Sequence, residues 1–270
     1  MKALKAYILI LLIIGTAINS SCDKNNDIVL FSIQNDIDLG QQVAAEIESM
    51  PNEYPILDRS SNLEAYQYLE NMMNSVLASN DVSYRTEFPW KVNIIDDPET
   101  LNAFATPGGQ LYFYTGLIFF LDTEDDLAGV MGHEIAHADQ RHSSKQLQRQ
   151  YGISVLLSVI TGGDPGLLSQ IAATLGTLKF SRDAEAEADD FSVLYLADVD
   201  DYACNGAAAF FQKLESSNAS TPPEFLSTHP NPANRVEDIN AKAAEIGCDT
   251  TLGDDAVSDY AAFKATLRNQ

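Results

Sequence analysis

A His-Glu-x-x-His pattern, formed by His133, Glu134 and His137, follows a run of small and apolar residues. The apolar positions between Leu127 and Ile135 recur at helical spacing, which predicts a helix that is buried on most of its surface. Two imidazoles and a carboxylate inside a protein core cost free energy unless they have a partner. The fold of the chain therefore has to provide a partner for these buried polar groups. The His-Glu-x-x-His pattern indicates that this partner is a metal ion.

Helical geometry gives each of the three residues a role. His133 and His137 lie one turn apart and project from the same face, so both can reach one metal ion. Glu134 lies beside them and can take a proton from a water molecule on that metal. Thr123, followed by acidic residues, marks the start of the helix. The alternative is a solvated helix turn with two surface histidines, which the apolar surroundings disfavour.

A catalytic zinc ion needs a third protein ligand and one open position for water. Metzincins supply Gly and then His at fixed steps after the pattern, but Gln140 and Ser143 occupy those positions here. His142 is one residue out of register. On a continuing helix it would point away from the face that carries His133 and His137. We therefore expect His142 to lie outside the ligand set, in a structural role or beside a ligand.

An acidic segment from Ser181 to Phe191 offers carboxylates for the third position. Glu185 and Asp189 are four residues apart and share a helix face, so one can bind the metal while the other orients a ligand. The spacing alone also leaves Glu187 and Asp183 open as ligands. It equally leaves open an ordinary solvated acidic helix face.

Four blocks of sequence, taken together, resemble a known enzyme family. Asn-Ala-Phe-Ala-Thr-Pro-Gly-Gly at 102–109 precedes the His-Glu-x-x-His pattern. Ser-Arg-x-x-Glu-x-Glu-Ala-Asp at 181–189 and Thr-His-Pro-Asn-Pro-Ala-Asn-Arg at 228–235 follow it. In this order they resemble the zinc metallopeptidase family of the CAAX prenyl endopeptidases, HtpX and BepA, which are gluzincins. The resemblance extends over residues 39–236.

The resemblance implies roles for four further residues. Glu185 matches the family's third zinc ligand, and Asp189 matches the acid that orients a ligand. His229 and Arg235 match residues near the active site, so they are candidates for stabilising an oxyanion or for gating the metal. The expected cofactor is Zn²⁺, one per chain.

Residues 101–116 are predicted to form a β-hairpin, because an extended run is followed by Pro107-Gly108-Gly109 and then by a run rich in β-formers. An exposed edge strand can hold an extended peptide through backbone hydrogen bonds. By itself this pattern favours a plain structural hairpin. Beside a zinc helix, and with the resemblance, it predicts a substrate-binding strand that comprises Asn102, Ala103, Phe104 and Ala105.

The first residues are typical of a signal peptide. Two lysines precede a short apolar run, and small and polar residues follow up to Ser21-Cys22. The position of Cys22 favours a bacterial lipoprotein that is lipidated on this cysteine, and an ordinary secreted protein is the alternative. We therefore predict a signal peptide over 1–21, a tether over 22–37, and attachment by a lipid anchor in the periplasm or at the outer membrane of a bacterial envelope.

Secretion changes how the remaining cysteines are interpreted. Cys204 and Cys248 form an even pair in an oxidising compartment, so a disulfide between them is one expectation. Two free buried thiols are the alternative, because the sequence shows neither distance nor geometry.

The chain is strongly acidic, with a formal net charge of −23 from 16 basic and 39 acidic residues. Removal of the signal peptide would also remove Lys2 and Lys5 and make the charge more negative. This excess argues against nucleic acid as a partner and against electrostatic binding to anionic lipid.

The pattern of elements predicts an α+β fold, with a mostly helical zincin-type metallopeptidase domain over 38–270 and a small antiparallel sheet. Besides the two helices already discussed, apolar periodicity predicts helices near 39–50, 63–78, 167–178, 205–215 and 234–246.

The function that these features predict is that of a zinc endopeptidase acting on polypeptides outside the cytoplasm, including misfolded envelope proteins in quality control. One alternative is a non-catalytic chaperone or assembly factor on the same fold. Another is a latent protease in which His229 fills the open metal position.

Overall fold

The structure is a computed structural model that describes residues 31–216, 224–230, 234–251 and 256–268. These residues form helices around a small sheet. The helices are α1 (Ile33–Glu48), α2 (Leu63–Leu77), α3 (Thr115–Phe120), α4 (Glu124–Asp139), α5 (His142–Tyr151), α6 (Ile153–Ile160), α7 (Pro165–Leu175), α8 (Arg182–Ala197), α9 (Gly206–Ser216), α10 (Glu224–Thr228), α11 (Arg235–Ile246) and α12 (Ala256–Arg268). The strands are β1 (Lys91–Ile95), β2 (Ala103–Ala105) and β3 (Gln110–Tyr114).

The helix that carries the His-Glu-x-x-His pattern, α4, lies at the centre of the fold. It begins with a capping box, in which the Thr123 hydroxyl accepts from the Asp126 backbone N–H and the Asp126 carboxylate accepts from the Thr123 backbone N–H. Every residue from Asp125 to Asp139 is buried. The helix packs mainly against α8 and α9, and also against α2, α12 and β2. The prediction of a buried helix that starts at Thr123 is therefore confirmed.

Glycines on α4 allow its neighbours to approach closely. A Cβ atom at Gly129 would overlap the backbone nitrogen of Ala207 on α9, and one at Gly132 would meet the side chain of Ser192 on α8. The Ser192 hydroxyl also donates a hydrogen bond to the Gly129 carbonyl. These small residues set the short distance between α4 and α8, and so the distance between the chemical groups that the two helices carry.

The Gly129→Ala variant should lose about 3 kcal/mol of unfolding free energy, at the upper end of the usual cost of overpacking, because the obstacle is backbone and cannot rotate away. Urea denaturation measures this loss. Gly166→Ala in α7 is the matched control, since a Cβ there meets only ordinary contacts. It should be neutral or stabilise by up to about 1 kcal/mol. Equal stabilities of the two variants would contradict this account of the helix contact.

The sheet is mixed, with strand order β1-β3-β2. β2 and β3 form the predicted hairpin and are antiparallel, with Phe104 opposite Tyr112, whereas β1 runs parallel to β3, with Val92 opposite Leu111. The prediction of an α+β, mostly helical fold is confirmed, but the expectation of a purely antiparallel sheet is wrong for β1. β1 lies at one edge of the sheet, β2 lies at the other, and β3 lies between them. Strand propensities do not indicate which strand becomes central.

The folded part of the chain includes residues that were predicted to be a tether. Phe31 is buried, and Ser32 caps α1 by accepting from the Asn35 backbone N–H. Asp36 is also buried, where its carboxylate pairs with Arg141, 2.6 Å away. The tether prediction over 22–37 is therefore wrong from Phe31 onward. The predicted signal peptide and the predicted lipidation site, Cys22, lie outside the described residues.

The other predicted helices are present with shifted ends, and α6 and α7 form an apolar pair. Among the described residues, no single helix has the length and hydropathy needed to cross a membrane, while α6 and α7 together pass that test as a pair bent by 111°.

A disulfide joins the C-terminal helices. Cys204, just before α9, is bonded to Cys248, just after α11, with the two Cα atoms 6.3 Å apart. This separation lies within the ordinary range for a disulfide. Of the two alternatives that the sequence left open for this pair, the structure contains the bonded one.

Candidate metal centre

The two histidines of the pattern project from α4 into the protein interior. The Nε2 atoms of His133 and His137 lie 3.0 Å apart. Both side chains are almost fully buried. One helical turn therefore brings the two ring nitrogens together, as the spacing predicts.

Helix α8 adds a carboxylate to this pair. Ser181 caps α8 by accepting a hydrogen bond from the backbone N–H of Ala184, and Glu185 lies in its first turn. One Glu185 oxygen lies 3.5 Å from His133 Nε2, and the other lies 3.5 Å from His137 Nε2. The acid that was assigned by resemblance is thus within reach of both histidines.

The other two acids that the spacing left open lie elsewhere. Asp183 is exposed on the surface of α8. Glu187 points to His142, with 3.2 Å between the Glu187 Oε2 and His142 Nε2 atoms. The close contact of α8 with α4 therefore distinguishes Glu185 from its neighbours, which sequence spacing could not do.

A third imidazole comes from the segment after α10. His229 Nδ1 lies 3.1 Å from a Glu185 oxygen and 3.4 Å from His133 Nε2. The His229 backbone N–H donates to the Phe225 carbonyl, which anchors the residue at the end of the short helix. His133, His137, Glu185 and His229 are all buried, and each offers one donor atom within 4.8 Å of the other three.

This donor set fits a divalent metal ion. Ligand atoms placed about 2.0–2.1 Å from a tetrahedral ion lie about 3.3 Å from one another. Five separations between donor atoms of the cluster are 3.0 to 3.5 Å, close to that value, and the four residues each offer one donor atom within 4.8 Å of the others. Imidazole nitrogens and one carboxylate oxygen are also ligand types that such ions prefer. Without an ion, four polar side chains would share a buried space with few other partners.

Glu134 lies beside the cluster with a carboxylate that is available for chemistry. The side chain is completely buried, and neither oxygen has a hydrogen-bond partner among the described residues. A basic atom, His229 Nε2, lies 3.5 Å from Glu134 Oε1. Burial raises the pKa of Glu134, which brings this carboxyl closer to the range of a general base and acid.

A buried ion pair between Asp189 and Arg235 contacts the cluster at His133 and Glu185. Asp189 Oδ1 lies 2.9 Å from His133 Nδ1, and Arg235 donates to both Asp189 oxygens, at 2.5 and 2.7 Å. The same guanidinium lies 3.1 Å from a Glu185 oxygen and stacks over the ring of Phe211. Burial acts to raise the pKa of Asp189, but Arg235 and His133 outweigh it and lower that pKa below its usual value. Asp189 is thereby kept as an anion that accepts a hydrogen bond from His133.

The residues of this buried donor set lie within a region that matches a known protein family. The model of peptidase family M48 matches residues 63–243, which include α4, α8 and the His229 segment. The chain belongs to peptidase family M48. Its members are metallopeptidases, so the family accounts for the His-Glu-x-x-His helix and for the buried donor set.

The chain is similar to bacterial β-barrel assembly-enhancing proteases and to mitochondrial OMA1 metalloendopeptidases. The β-barrel assembly-enhancing proteases of Escherichia coli K12 and Yersinia pestis are each 32% identical to the chain over 197 residues, which are 67% of this chain and 39% of the relative. The mitochondrial metalloendopeptidase OMA1 of Schizosaccharomyces pombe is 30% identical over 180 residues, which are 64% of this chain and 51% of the relative. The matched part of this M48 chain therefore spans only about 39–51% of these relatives' length.

His142 lies outside the four-residue cluster, but its predicted direction is wrong. Helix α4 ends at Asp139, and Arg141 adopts a left-handed conformation with φ 61°. This turn carries His142 back towards the site, where its Nδ1 atom lies 2.9 Å from His137 Nδ1. The prediction assumed a continuing helix, and the unusual backbone at Arg141 is what breaks that assumption.

The predicted substrate strand lies at the edge of the sheet but is covered. Asn102, Ala103, Phe104 and Ala105 are all buried. The Asn102 amide donates to the Gly176 carbonyl, and the Ser143 hydroxyl donates to the Ala105 carbonyl. The expectation of an exposed edge is therefore wrong for this conformation, because segments that are distant in sequence fold over it. Substrate binding by these residues stays a prediction.

Two aromatic residues that sequence reasoning missed pack against the imidazoles. The Phe180 ring stacks on His137 with centroids 4.1 Å apart, and the Phe225 ring stacks on His229 at 4.3 Å. Both phenylalanines are buried, and they surround the polar cluster with apolar surface. The four-residue spacing of Phe225 and His229 is the signal that could have found one of them.

Proposed function

We propose that this chain is a zinc-dependent metalloendopeptidase that cleaves polypeptides outside the cytoplasm. The observation that carries the proposal is the Glu134 carboxylate, which lies without a hydrogen-bond partner among the described residues beside a buried set of three imidazoles and Glu185. Membership of peptidase family M48 supports the same activity. Zinc is the metal that suits histidine and carboxylate donors at a tetrahedral hydrolytic site.

We assign the ligand roles to His133, His137 and Glu185. When bound, zinc lowers the pKa of a water molecule towards about 7 and polarises the carbonyl of the substrate. Glu134 then accepts the proton of the attacking water and returns it to the amine that leaves. Asp189 holds His133 through its Nδ1 atom, so this ring keeps Nε2 directed at the cluster.

Two groups can stabilise the negative charge that develops on the substrate oxygen. The Nη1 atom of Arg235 and the Nε2 atom of His229 are buried and have no hydrogen-bond partner among the described residues. Donors that are held in a dry site stabilise a developing oxyanion strongly. Both residues were predicted to act near the metal as oxyanion donors or as gates. For His229 these two roles predict opposite effects of its replacement on the cleavage rate, and Arg235 is the oxyanion donor that remains if His229 is the gate.

We further propose that the protein is latent in the conformation described. His229 lies among the other three donors, where it can fill the position that a substrate or water needs. The ligands and Glu134 are buried, and the predicted substrate strand is covered. Activation then requires His229 and the segments over β2 to move apart from α4.

The His229→Asn variant should cleave casein faster than the wild type, by 10-fold or more, because its side chain is too short to fill the ligand position. An open minor state commonly holds about 0.1–10% of a population, which sets the scale of the gain. Initial rates measured on zinc-loaded proteins test this. Slower cleavage with unchanged zinc content would contradict latency and would favour the role of His229 as an oxyanion donor.

The cellular setting that we propose is a bacterial envelope. The N-terminal residues support a signal peptide and lipidation at Cys22, and some relatives are named β-barrel assembly-enhancing proteases. We propose misfolded envelope proteins as substrates, held in extended form against Asn102–Ala105 once that strand is uncovered. The acidic charge of the chain supports a partner other than nucleic acid.

A comparison of the wild type with the Glu185→Ala variant tests the proposed function. The wild type should bind one zinc ion and cleave casein. Glu185→Ala, which removes a ligand itself, should weaken zinc binding by more than the roughly 10- to 100-fold that loss of a ligand's hydrogen-bond partner costs. Asp183→Ala, on the same helix but exposed, should match the wild type in both assays. Zinc retained in full by Glu185→Ala would overturn the ligand assignment. Zinc binding without cleavage by wild type and His229→Asn would favour a non-catalytic assembly role.

A further inference from the structure

The two ring nitrogens of His137 face different surroundings. Nε2 faces the cluster, 3.0 Å from His133 Nε2 and 3.5 Å from Glu185. Nδ1 faces the opposite way, towards His142 Nδ1 at 2.9 Å. A histidine that binds a metal through Nε2 keeps its proton on Nδ1, so His137 must donate that proton to an acceptor. The acceptor that the structure offers is a second imidazole.

The donation by His137 fixes the tautomer of His142. If His142 Nδ1 accepts a hydrogen bond, that atom is unprotonated, and the ring proton of the neutral imidazole lies on Nε2. His142 Nε2 lies 3.2 Å from a Glu187 oxygen, which is a suitable acceptor. The hydrogen bonds therefore run in one direction, from His137 to His142 and from His142 to Glu187.

The same arrangement occurs in a shorter form at the other histidine of the pattern. His133 Nδ1 contacts the carboxylate of Asp189 directly, at 2.9 Å. Asp189 and Glu187 lie on α8, the helix that also carries Glu185. Helix α8 thus provides one carboxylate for the Nδ1 side of each histidine in the pattern. Asp189 contacts His133 directly, whereas His142 lies between His137 and Glu187.

The backbone around His142 is held in the conformation that makes this contact. Arg141 has a positive φ of 61°, which non-glycine residues seldom adopt. Its guanidinium pairs with buried Asp36 and also donates to the Phe31 carbonyl. Contacts with α1 therefore hold the turn that returns His142 to His137. Phe180 stacks on His137 and packs near His142, so the hydrogen bond between the imidazoles is shielded from water.

We propose that His142 and Glu187 are positioning residues that fix the tautomer and the ring orientation of His137 for metal binding. This inference rests on the proposed zinc site. Glu187 acts only through His142, and His142 acts only through His137; neither residue touches the substrate. Partners of this kind commonly contribute 10- to 100-fold to metal affinity.

Chelator competition on the purified full chain measures the contribution as a zinc dissociation constant. Glu187→Leu, which removes the acceptor of the His142 Nε2 proton, should weaken zinc binding by about 10-fold, and His142→Leu by about 10- to 100-fold. The double variant should match His142→Leu to within about twofold, because Glu187 has no route to the metal once His142 is gone. Asp183→Asn removes an exposed carboxylate from the same helix and is the matched control, with unchanged affinity expected.

The NMR spectrum of the zinc-loaded wild type, labelled with ¹⁵N in histidine, reports the tautomers directly. We expect a proton on Nδ1 of His137 and on Nε2 of His142. A proton on Nδ1 of His142, or additive losses in the double variant, would overturn the relay. Wild-type zinc affinity in the folded Glu187→Leu variant, which has no acceptor for the His142 Nε2 proton, would also overturn it. Failure of the wild type itself to bind zinc would overturn the proposed function and the relay together.

Discussion

The Glu134→Gln variant should lose peptide cleavage by about 10²- to 10⁴-fold while it binds zinc as tightly as the wild type. The expected loss is the usual contribution of a positioned general base and acid. The amide has nearly the shape of the carboxylate but cannot accept the proton of the attacking water. Glu134 lies outside the four-residue donor cluster, so its replacement leaves the metal ligands in place.

The Glu134→Gln substitution should not lower the unfolding free energy, because of the way Glu134 is buried. The Glu134 side chain is fully buried with no hydrogen-bond partner among the described residues, so a neutral amide removes a charge that is costly to bury. The variant should therefore be at least as stable as the wild type in urea. Casein cleavage should be measured in the His229→Asn background as well, where the proposed latency predicts a faster parental rate and so an easily detected loss. Cleavage at the parental rate would exclude Glu134 as the base.

The second large effect is expected on stability. Arg235→Met should cost about 3–5 kcal/mol in the metal-free protein, because it leaves the buried carboxylates of Asp189 and Glu185 without their cation. Methionine keeps much of the apolar contact with Phe211, so the loss reports mainly on charge. Urea denaturation in the presence of a chelator measures it, since a bound metal ion would compensate Glu185.

A control on the same helix separates this effect from a general loss of positive charge. Lys242→Met removes a partly exposed cation that pairs with the exposed Glu245 on α11, and it should cost less than about 1 kcal/mol. The Arg235→Met/Asp189→Leu double variant should recover part of the loss, because it removes one of the stranded carboxylates as well. If Arg235→Met were as stable as Lys242→Met, the ion pair would have no structural role.

The position of His142 shows how local reasoning from a sequence can fail. Helical periodicity places it away from His137, and that inference holds only while the helix continues. The helix ends because Arg141 adopts a left-handed conformation, and Arg141 is held there by Asp36, which is 105 residues distant in sequence. A conformation that costs free energy locally is stabilised by a contact that no local pattern can reveal.

The predictions of where the folded domain starts and of how the strands pair failed for the same reason. Residues up to 37 have the composition of a tether, yet Phe31 and Asp36 are buried, and both bind the Arg141 guanidinium. Strand propensities predicted the hairpin of β2 and β3, but the parallel pairing of β1 depends on which strand lies at the centre of the sheet. Both outcomes depend on long-range packing.

The local sequence pattern predicted the helix of the site, which the structure contains, and the chemistry that we propose for its main residues. A repeat of 3.6 residues per turn places His133 and His137 on one face, and the apolar residues before them require burial. Spacing left open which carboxylate joins them, and resemblance alone pointed to Glu185. The packing of α8 on α4 is what brings Glu185 to both histidines and the other groups around them. Glu185, Glu187 and Asp189 share one short acidic segment. The close approach of α8 to α4 places Glu185 beside the Nε2 atoms of His133 and His137, Glu187 beside His142, and Asp189 beside the Nδ1 atom of His133.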